Sequence, residues 1–290
     1  MVDFAVAGVS GNTGRVVAET LLAGGASVRV IVRDAAKGAA WAARGADVAV
    51  ADLGDSAALA EALRGVKGAY LLVPPNAGAS DFRAYQRATG ESIVAAVRAS
   101  GVPHVVFLSS VGAQHDAGTG PIAALKPVEA GLRGIAGTVS TFVRAAYFME
   151  NLGGSLSSLG DGLLPGFVPT DLAFPMIATR DIGLVAAAAL REPPAQTEVI
   201  ELDAPRLYSM DDAAAALSKL TGKTITARQF PIEAMVPTLT GFGFPPGLAA
   251  LYAEMTAGMT AGHVTFEGGH RRVHGATPIE TVLAGLVNGA

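Results

Sequence analysis

An α/β fold, a doubly wound parallel sheet followed by a smaller α+β lobe, is what three features of this sequence predict. Short runs that are apolar throughout recur from residue 3 to about 145, separated by alanine-rich segments long enough for crossover helices. Strands apolar on both faces belong to parallel sheets covered on both sides. The first run, FAVA at 4–7, passes straight into glycines spaced three apart, Gly8, Gly11 and Gly14, and these into a helical pattern from Arg15. Beyond residue 145 the alternation breaks, and glycine and proline cluster through 153–175. The expected division is therefore 1–150 and a smaller lobe at 151–290.

The glycine turn reads as strand, tight turn, helix. Glycine gives the turn its torsional freedom and leaves no Cβ in the way of an approaching ligand. The unpaired amides at the helix start, with the positive end of the helix dipole, make an anion site, and Ser10, Asn12 and Thr13 add side-chain donors. The expected occupant is the pyrophosphate of a dinucleotide, and the sheet is then of the Rossmann kind, with ligands at the carboxyl ends of its strands.

Strands are predicted in turn at 28–32, 48–51, 69–73, 105–108 and 139–143. Arg33 follows the second, 19 residues after Gly14, where such a sheet brings the chain to the adenosine ribose. An arginine there offers a fork of donors to a 2′-phosphate, and with Lys37 close by NADPH is favoured over NADH. Asp34 comes next, so one residue of register would put a carboxylate in that place instead; a solvated strand-end charge is the plainer role for Arg33. Asp52, with Leu53, suits the adenine edge or, equally, a turn before the third helix. Val73, Pro74 and Pro75 end the fourth strand, because proline cannot continue a ladder, and the loop would border the nicotinamide. Ser109 and Ser110 end the fifth, either beside the reacting ring, where hydroxyls orient a carbonyl, or as a turn-forming pair.

In the second half a strand is predicted at 174–177, a helix at 181–190 halted by Pro193-Pro194, and a strand at 198–202. Ser209-Met210-Asp211-Asp212 opens an amphipathic helix that Gly222 closes. The stretch 230–266 is rich in Phe, Pro, Leu, Met and Gly. It is expected to wall a cleft for a flat hydrophobic substrate through Phe242 and Phe244, opposite Tyr147 and Phe148.

Composition narrows the partners. Half of the 290 residues are apolar, yet uncharged apolar runs are too short to span a bilayer, so a soluble protein is predicted. No leader precedes the first strand, which makes the cytoplasm the default. Zero cysteines exclude thiolate chemistry and disulfides, and a net charge of −4 without a basic block gives no footprint for nucleic acid or an anionic membrane. The expected partner is a small molecule, the protein itself a monomer or homodimer. His270 and His274 are four apart, but flanking glycines and the intervening Arg271-Arg272 argue for a basic surface loop, and no metal is expected.

Taken together, GVSGNTGR at 8–15, VIVRD at 30–34, ADLGD at 51–55, LLVPP at 71–75, VVFLSSVGA at 105–113, LKPVEAGLR at 125–133, TFVRAAYFMENL at 141–152 and ATRDIG at 178–183 resemble the NmrA-like group of atypical short-chain dehydrogenase/reductases. The likeness is good over the first two-thirds and continues in outline to TPIETVLAG at 277–285. It implies an NAD(P)H-dependent reductase of quinones, azo dyes or triphenylmethane dyes; the family also implies an alternative, a non-catalytic redox-sensing regulator that binds NADP(H). None of the five tyrosines has lysine four residues on, so the Tyr-x-x-x-Lys pair usual for proton transfer in short-chain dehydrogenases is absent. Lys126, in the helix after the active-site loop, and Tyr147 join Ser109 and Ser110 as catalytic candidates.

Overall fold

The protein is described by a computed structural model over residues 2–289. Its first half alternates strictly: β1 (Phe4–Ala7), α1 (Asn12–Ala23), β2 (Val28–Val32), α2 (Ala35–Ala42), β3 (Asp47–Val50), α3 (Ser56–Leu63), β4 (Gly68–Leu72), α4 (Phe82–Ser100), β5 (His104–Ser110), α5 (Leu125–Arg133) and β6 (Val139–Ala145). The short strands β7 (Tyr147–Phe148), β8 (Leu163–Gly166) and β9 (Met176–Ile177) follow. Then come α6 (Thr179–Arg191), β10 (Glu198–Asp203), α7 (Met210–Thr221) and β11 (Thr226–Gln229). The chain ends with α8 (Met235–Gly241), α9 (Pro246–Thr260), β12 (Arg271–His274) and α10 (Ile279–Asn288).

Eight strands form one parallel sheet in the order β12-β10-β6-β5-β4-β1-β2-β3. Alternation along each strand supplies two cores. Val6, Val30, Val106 and Val143 pack on one face with Val17 and Leu21 of α1 and Ile182 and Ala186 of α6. Ala5, Ile31, Leu71, Phe107 and Phe142 pack on the other with Leu59 of α3, Ile93 and Val97 of α4 and Leu132 of α5. Helix ends follow local chemistry: Asp81 caps α4 by accepting from the Ala84 amide, and Gly101 closes it in the left-handed region. Ser209 and Asp212 form a capping box on α7, which Gly222 ends as the sequence predicts.

The boundary expected at residue 150 does not separate these layers. Residues 179–203 and 271–274 return to the main sheet, where β10 pairs with β6 and β12 with β10, and α6 covers α1 closely enough that a Cβ on Gly183 would lie 2.5 Å from that of Val16. A third core, with Met149, Leu152, Leu164, Met176, Leu217 and Leu283, gathers the segments between and after them. The smaller lobe is thus threaded through the last sheet strands. Residues 271–274, expected as a surface loop, are the edge strand β12, and their charges suit an edge that must not recruit another chain. Among the described residues no helix is long and apolar enough to cross a membrane.

His104 starts β5, buried, with Nε2 3.2 Å from the Thr141 hydroxyl. Burial lowers its pKa from 6.5 to about 4, so between these values the unfolded chain binds the extra proton and the folded one does not. Stability contributed by the neutral ring is complete above pH 6.5 and is lost as pH falls toward 4. The loss is expected to be roughly 2 kcal/mol, allowing for partial solvation. Urea denaturation at stepped pH checks it, and the slope over this window is expected to flatten in His104→Gln.

Candidate active site

The turn after β1 is built as a cradle. Gly8 has φ +68°, in the left-handed region, and the Gly11 amide donates to its carbonyl at 2.9 Å. A Cβ on Gly14 would sit 2.4 Å from the Ala7 carbonyl oxygen, so strand and helix approach as closely as backbone allows. No side chain caps α1 and no acid lies in its first turn, which leaves the first amides for an outside acceptor. Ser10 and Asn12 are exposed at this mouth. Thr13 is not: its buried hydroxyl accepts from Tyr70 at 2.9 Å and ties α1 to β4. Burial raises the Tyr70 pKa, which keeps that phenol a donor.

Arg33 leaves β2 exposed, and Asp34 is occupied as the N-cap of α2, accepting from the Ala36 amide at 2.9 Å. Lys37 is exposed one turn into α2. Asp52 holds an Asx turn, Oδ1 accepting from the Gly54 amide at 2.7 Å, while Leu53 is buried in the core and presents no side chain to a ligand. Tyr85 of α4, which the sequence did not single out, belongs with this group. Burial raises its pKa most, the charge of Asp52 adds to the rise and that of Arg33 opposes it. Val73 and Pro74 are half-buried and Pro75 exposed beyond β4.

A cavity of about 170 Å³ opens along the carboxyl edge of the sheet beyond β5 and β6. Ser110, Tyr147 and Phe148 form one side; Tyr252, Met255 and Met259 of α9, spaced to share one helix face, form the other. Phe174 closes the end, its ring edge-on to Tyr147 at 5.5 Å. Every lining residue is uncharged. Burial pushes Tyr147 up to about 12, partly offset by the Asn151 side chain and reinforced by Tyr252, whose own pKa burial also raises. Both phenols therefore carry their protons at neutral pH.

Phe242 and Phe244 do not line this cavity. Phe242 is 71% exposed, and Phe244 packs behind Tyr252 with centroids 6.0 Å apart. The glycine- and proline-rich loop stands outside, and the helix after it turns tyrosine and methionine inward. Lys126 is also outside, paired at 2.8 Å with exposed Asp116.

Ser109 and Ser110 are separated by the strand's two-residue period. Ser110 faces the cavity, its hydroxyl donating to the Val111 carbonyl at 3.1 Å. Ser109 points the other way, donates to Glu129 at 2.6 Å and does not line the cavity. It starts a register-matched row, Ser109, Arg144, Glu201 and Arg272, across β5, β6, β10 and β12. Glu129 of α5 holds Arg144 through two bonds of 3.0 and 2.8 Å, and Glu267 takes its third side at 2.6 Å. Burial alone would lower the Arg144 pKa; the two carboxylates outweigh it and raise it. Glu201 accepts from the Gly268 amide at 2.7 Å, which clamps the strap carrying the cavity residue Val264. His270 Nε2 lies 3.1 Å from Glu267 and His274 Nδ1 2.8 Å from Asp203.

The chain is similar to known proteins in sequence and in fold. The sequence model of the NmrA-like family matches residues 3–264. A quinone oxidoreductase 2 from Escherichia coli is 29% identical over 264 residues, covering 89% of this chain and 88% of the relative. An NAD(P)H azoreductase from Xenophilus azovorans is 28% identical over 264 residues, covering 87% and 85%. Among solved structures, an NADPH-dependent quinone oxidoreductase from Escherichia coli complexed with NADPH superposes with TM-score 0.81 at 26% identity, over 97% of this chain and 98% of that one. A Citrobacter triphenylmethane reductase complexed with NADP(H) shares the fold, with TM-score 0.83 at 20% identity over 98% and 99%.

Proposed function

This chain belongs to the NmrA-like family, and from that premise we propose that it passes reducing equivalents from NADPH to a small, flat, electron-poor acceptor of quinone or azo type. It is an NAD(P)H-dependent reductase, as are the quinone and azo reductases that align with it. The observation that carries the finer reading is the uncharged, aromatic- and methionine-lined cavity on the sheet edge that also bears the glycine turn.

The residues fit the cofactor. A tight strand-to-helix turn with open space at Gly11, followed by uncapped helix amides, suits a pyrophosphate. Gly8, Ser10, Gly11, Asn12 and the amides of Thr13 and Gly14 would hold it, and Arg33 and Lys37 would take the 2′-phosphate. Asp52 and Tyr85 would border the adenine, and Val73, Pro74 and Pro75 the nicotinamide. When bound, NADPH supplies a hydride. The chain's part is to hold the acceptor against that edge and keep water out, which is most of what transfer to an activated acceptor needs.

Two measurements test this. Purified protein is expected to oxidise NADPH only when a naphthoquinone or azo dye is added; tight NADPH binding without turnover across such acceptors would overturn the reading. Arg33→Asp is expected to weaken NADPH relative to NADH by roughly ten- to a hundredfold, the worth of one charge-assisted bond. Fluorescence titration with each nucleotide reads it, and an unchanged ratio would place the phosphate elsewhere.

A further inference from the structure

Reduction of a quinone or azo group consumes a proton as well as a hydride, and neither a Tyr-x-x-x-Lys pair nor a charged group in the cavity is there to give it. We propose, building on the reductase reading, that Tyr147 is the proton donor, and that the acceptor is one whose reacting oxygen or nitrogen ends protonated.

Four groups in the cavity carry a donor: Ser110, Tyr147, Asn151 and Tyr252. The Ser110 proton is committed to the Val111 carbonyl. An amide such as Asn151 is too weak an acid to give one up. Tyr252 stands on α9, backed by Phe244, on the lobe side. Tyr147 follows β6 almost directly, on the strand edge that bears the glycine turn. Its amide donates to the Pro175 carbonyl at 3.2 Å, β7 pairs it with Met176, and Phe174 fixes the ring edge-on. Tyr147 lines the cavity together with Asn151 and Tyr252. A phenol in apolar surroundings keeps its proton until negative charge develops beside it.

The step balances as follows. As one quinone oxygen takes the hydride and forms its O–H bond, the ring becomes aromatic and negative charge collects on the other oxygen. The phenolic O–H bond of Tyr147 breaks, an O–H bond forms at that oxygen, and water reprotonates the phenolate, giving hydroquinone.

The test compares acceptors with different proton needs. A naphthoquinone requires a proton; a triarylmethyl cation takes hydride alone. Tyr147→Phe is expected to lower kcat for the quinone roughly a hundredfold, the low end for a positioned acid, and to lower it far less for the dye. An independent readout needs no turnover. The carbonyl stretch of fluorenone, bound without reduced cofactor, is expected to shift to lower frequency in the unsubstituted protein and in Tyr252→Phe, and not in Tyr147→Phe. Equal losses with both acceptors, or a carbonyl shift that survives in Tyr147→Phe, would overturn the assignment. Failure of the underlying reading looks different: the unsubstituted protein then oxidises NADPH with neither acceptor.

Discussion

Glu129→Gln is expected to cost about 3–5 kcal/mol of folding stability, the range for removing one partner of a buried ion pair. Glu129 is 4% exposed and Arg144 5%, so neither charge has water to fall back on. One Glu129 oxygen accepts from Ser109 and from Nε of Arg144, and the other from Nη2. A glutamine keeps the volume and loses the charge and one acceptor. The guanidinium is then left with Glu267, whose side chain is 46% exposed and correspondingly screened. Urea unfolding measures the loss, and a change below about 1 kcal/mol would mean that solvent reaches Arg144. Replacing the set together, Ser109→Ala with Glu129→Leu and Arg144→Met, is expected to recover most of it, because no charge then remains buried alone. The pair matters to the cavity because Ser109 precedes Ser110 and Glu267 belongs to the strap that carries Val264.

The first half of this architecture was legible because each of its signals is local. A run such as FAVA followed by glycines needs no tertiary context to be read as strand and turn, and six strands of the main sheet lie where periodicity puts them. The remaining two were not legible as sheet members. RRVH at 271–274 carries three charged or titratable residues in four, and it pairs with β10, about seventy residues away. The cavity was legible only in part, for a similar reason. Periodicity separates Ser109 from Ser110 once the strand's register is known, and the register came from the sheet. Phe242 and Phe244 attract notice as aromatics among glycines, yet a loop of that composition has nothing to hold it inward. Tyr252, Met255 and Met259 carry the helical spacing of an inward face, a signal in the sequence weaker than the aromatic run beside it.

Two glycines of the turn, three residues apart, are expected to fail in different ways when given a methyl group. At Gly14 the new Cβ would meet the Ala7 and Gly8 carbonyl oxygens at 2.4 and 2.5 Å, and because both are backbone, no rotamer change relieves the clash. α1 must then lift off β1 and off Thr13's bond to Tyr70. Gly14→Ala is expected to lose about 3–4 kcal/mol of stability, as overpacking against fixed backbone does, together with nucleotide binding. Gly11 has φ −101° and ψ 178°, extended backbone that any residue adopts. Its Cβ would come no nearer than 3.3 Å to the Gly8 carbonyl oxygen and would otherwise project into open space at the mouth of the helix. Gly11→Ala is therefore expected to unfold within about 1 kcal/mol of the unsubstituted protein. Its NADPH affinity is expected to fall roughly a hundredfold, about 2.7 kcal/mol, because the methyl occupies the approach to the first-turn amides. Thermal unfolding and nucleotide titration on both variants separate the two effects. If Gly11→Ala bound NADPH as tightly as the unsubstituted protein, the pyrophosphate would not lie on this turn.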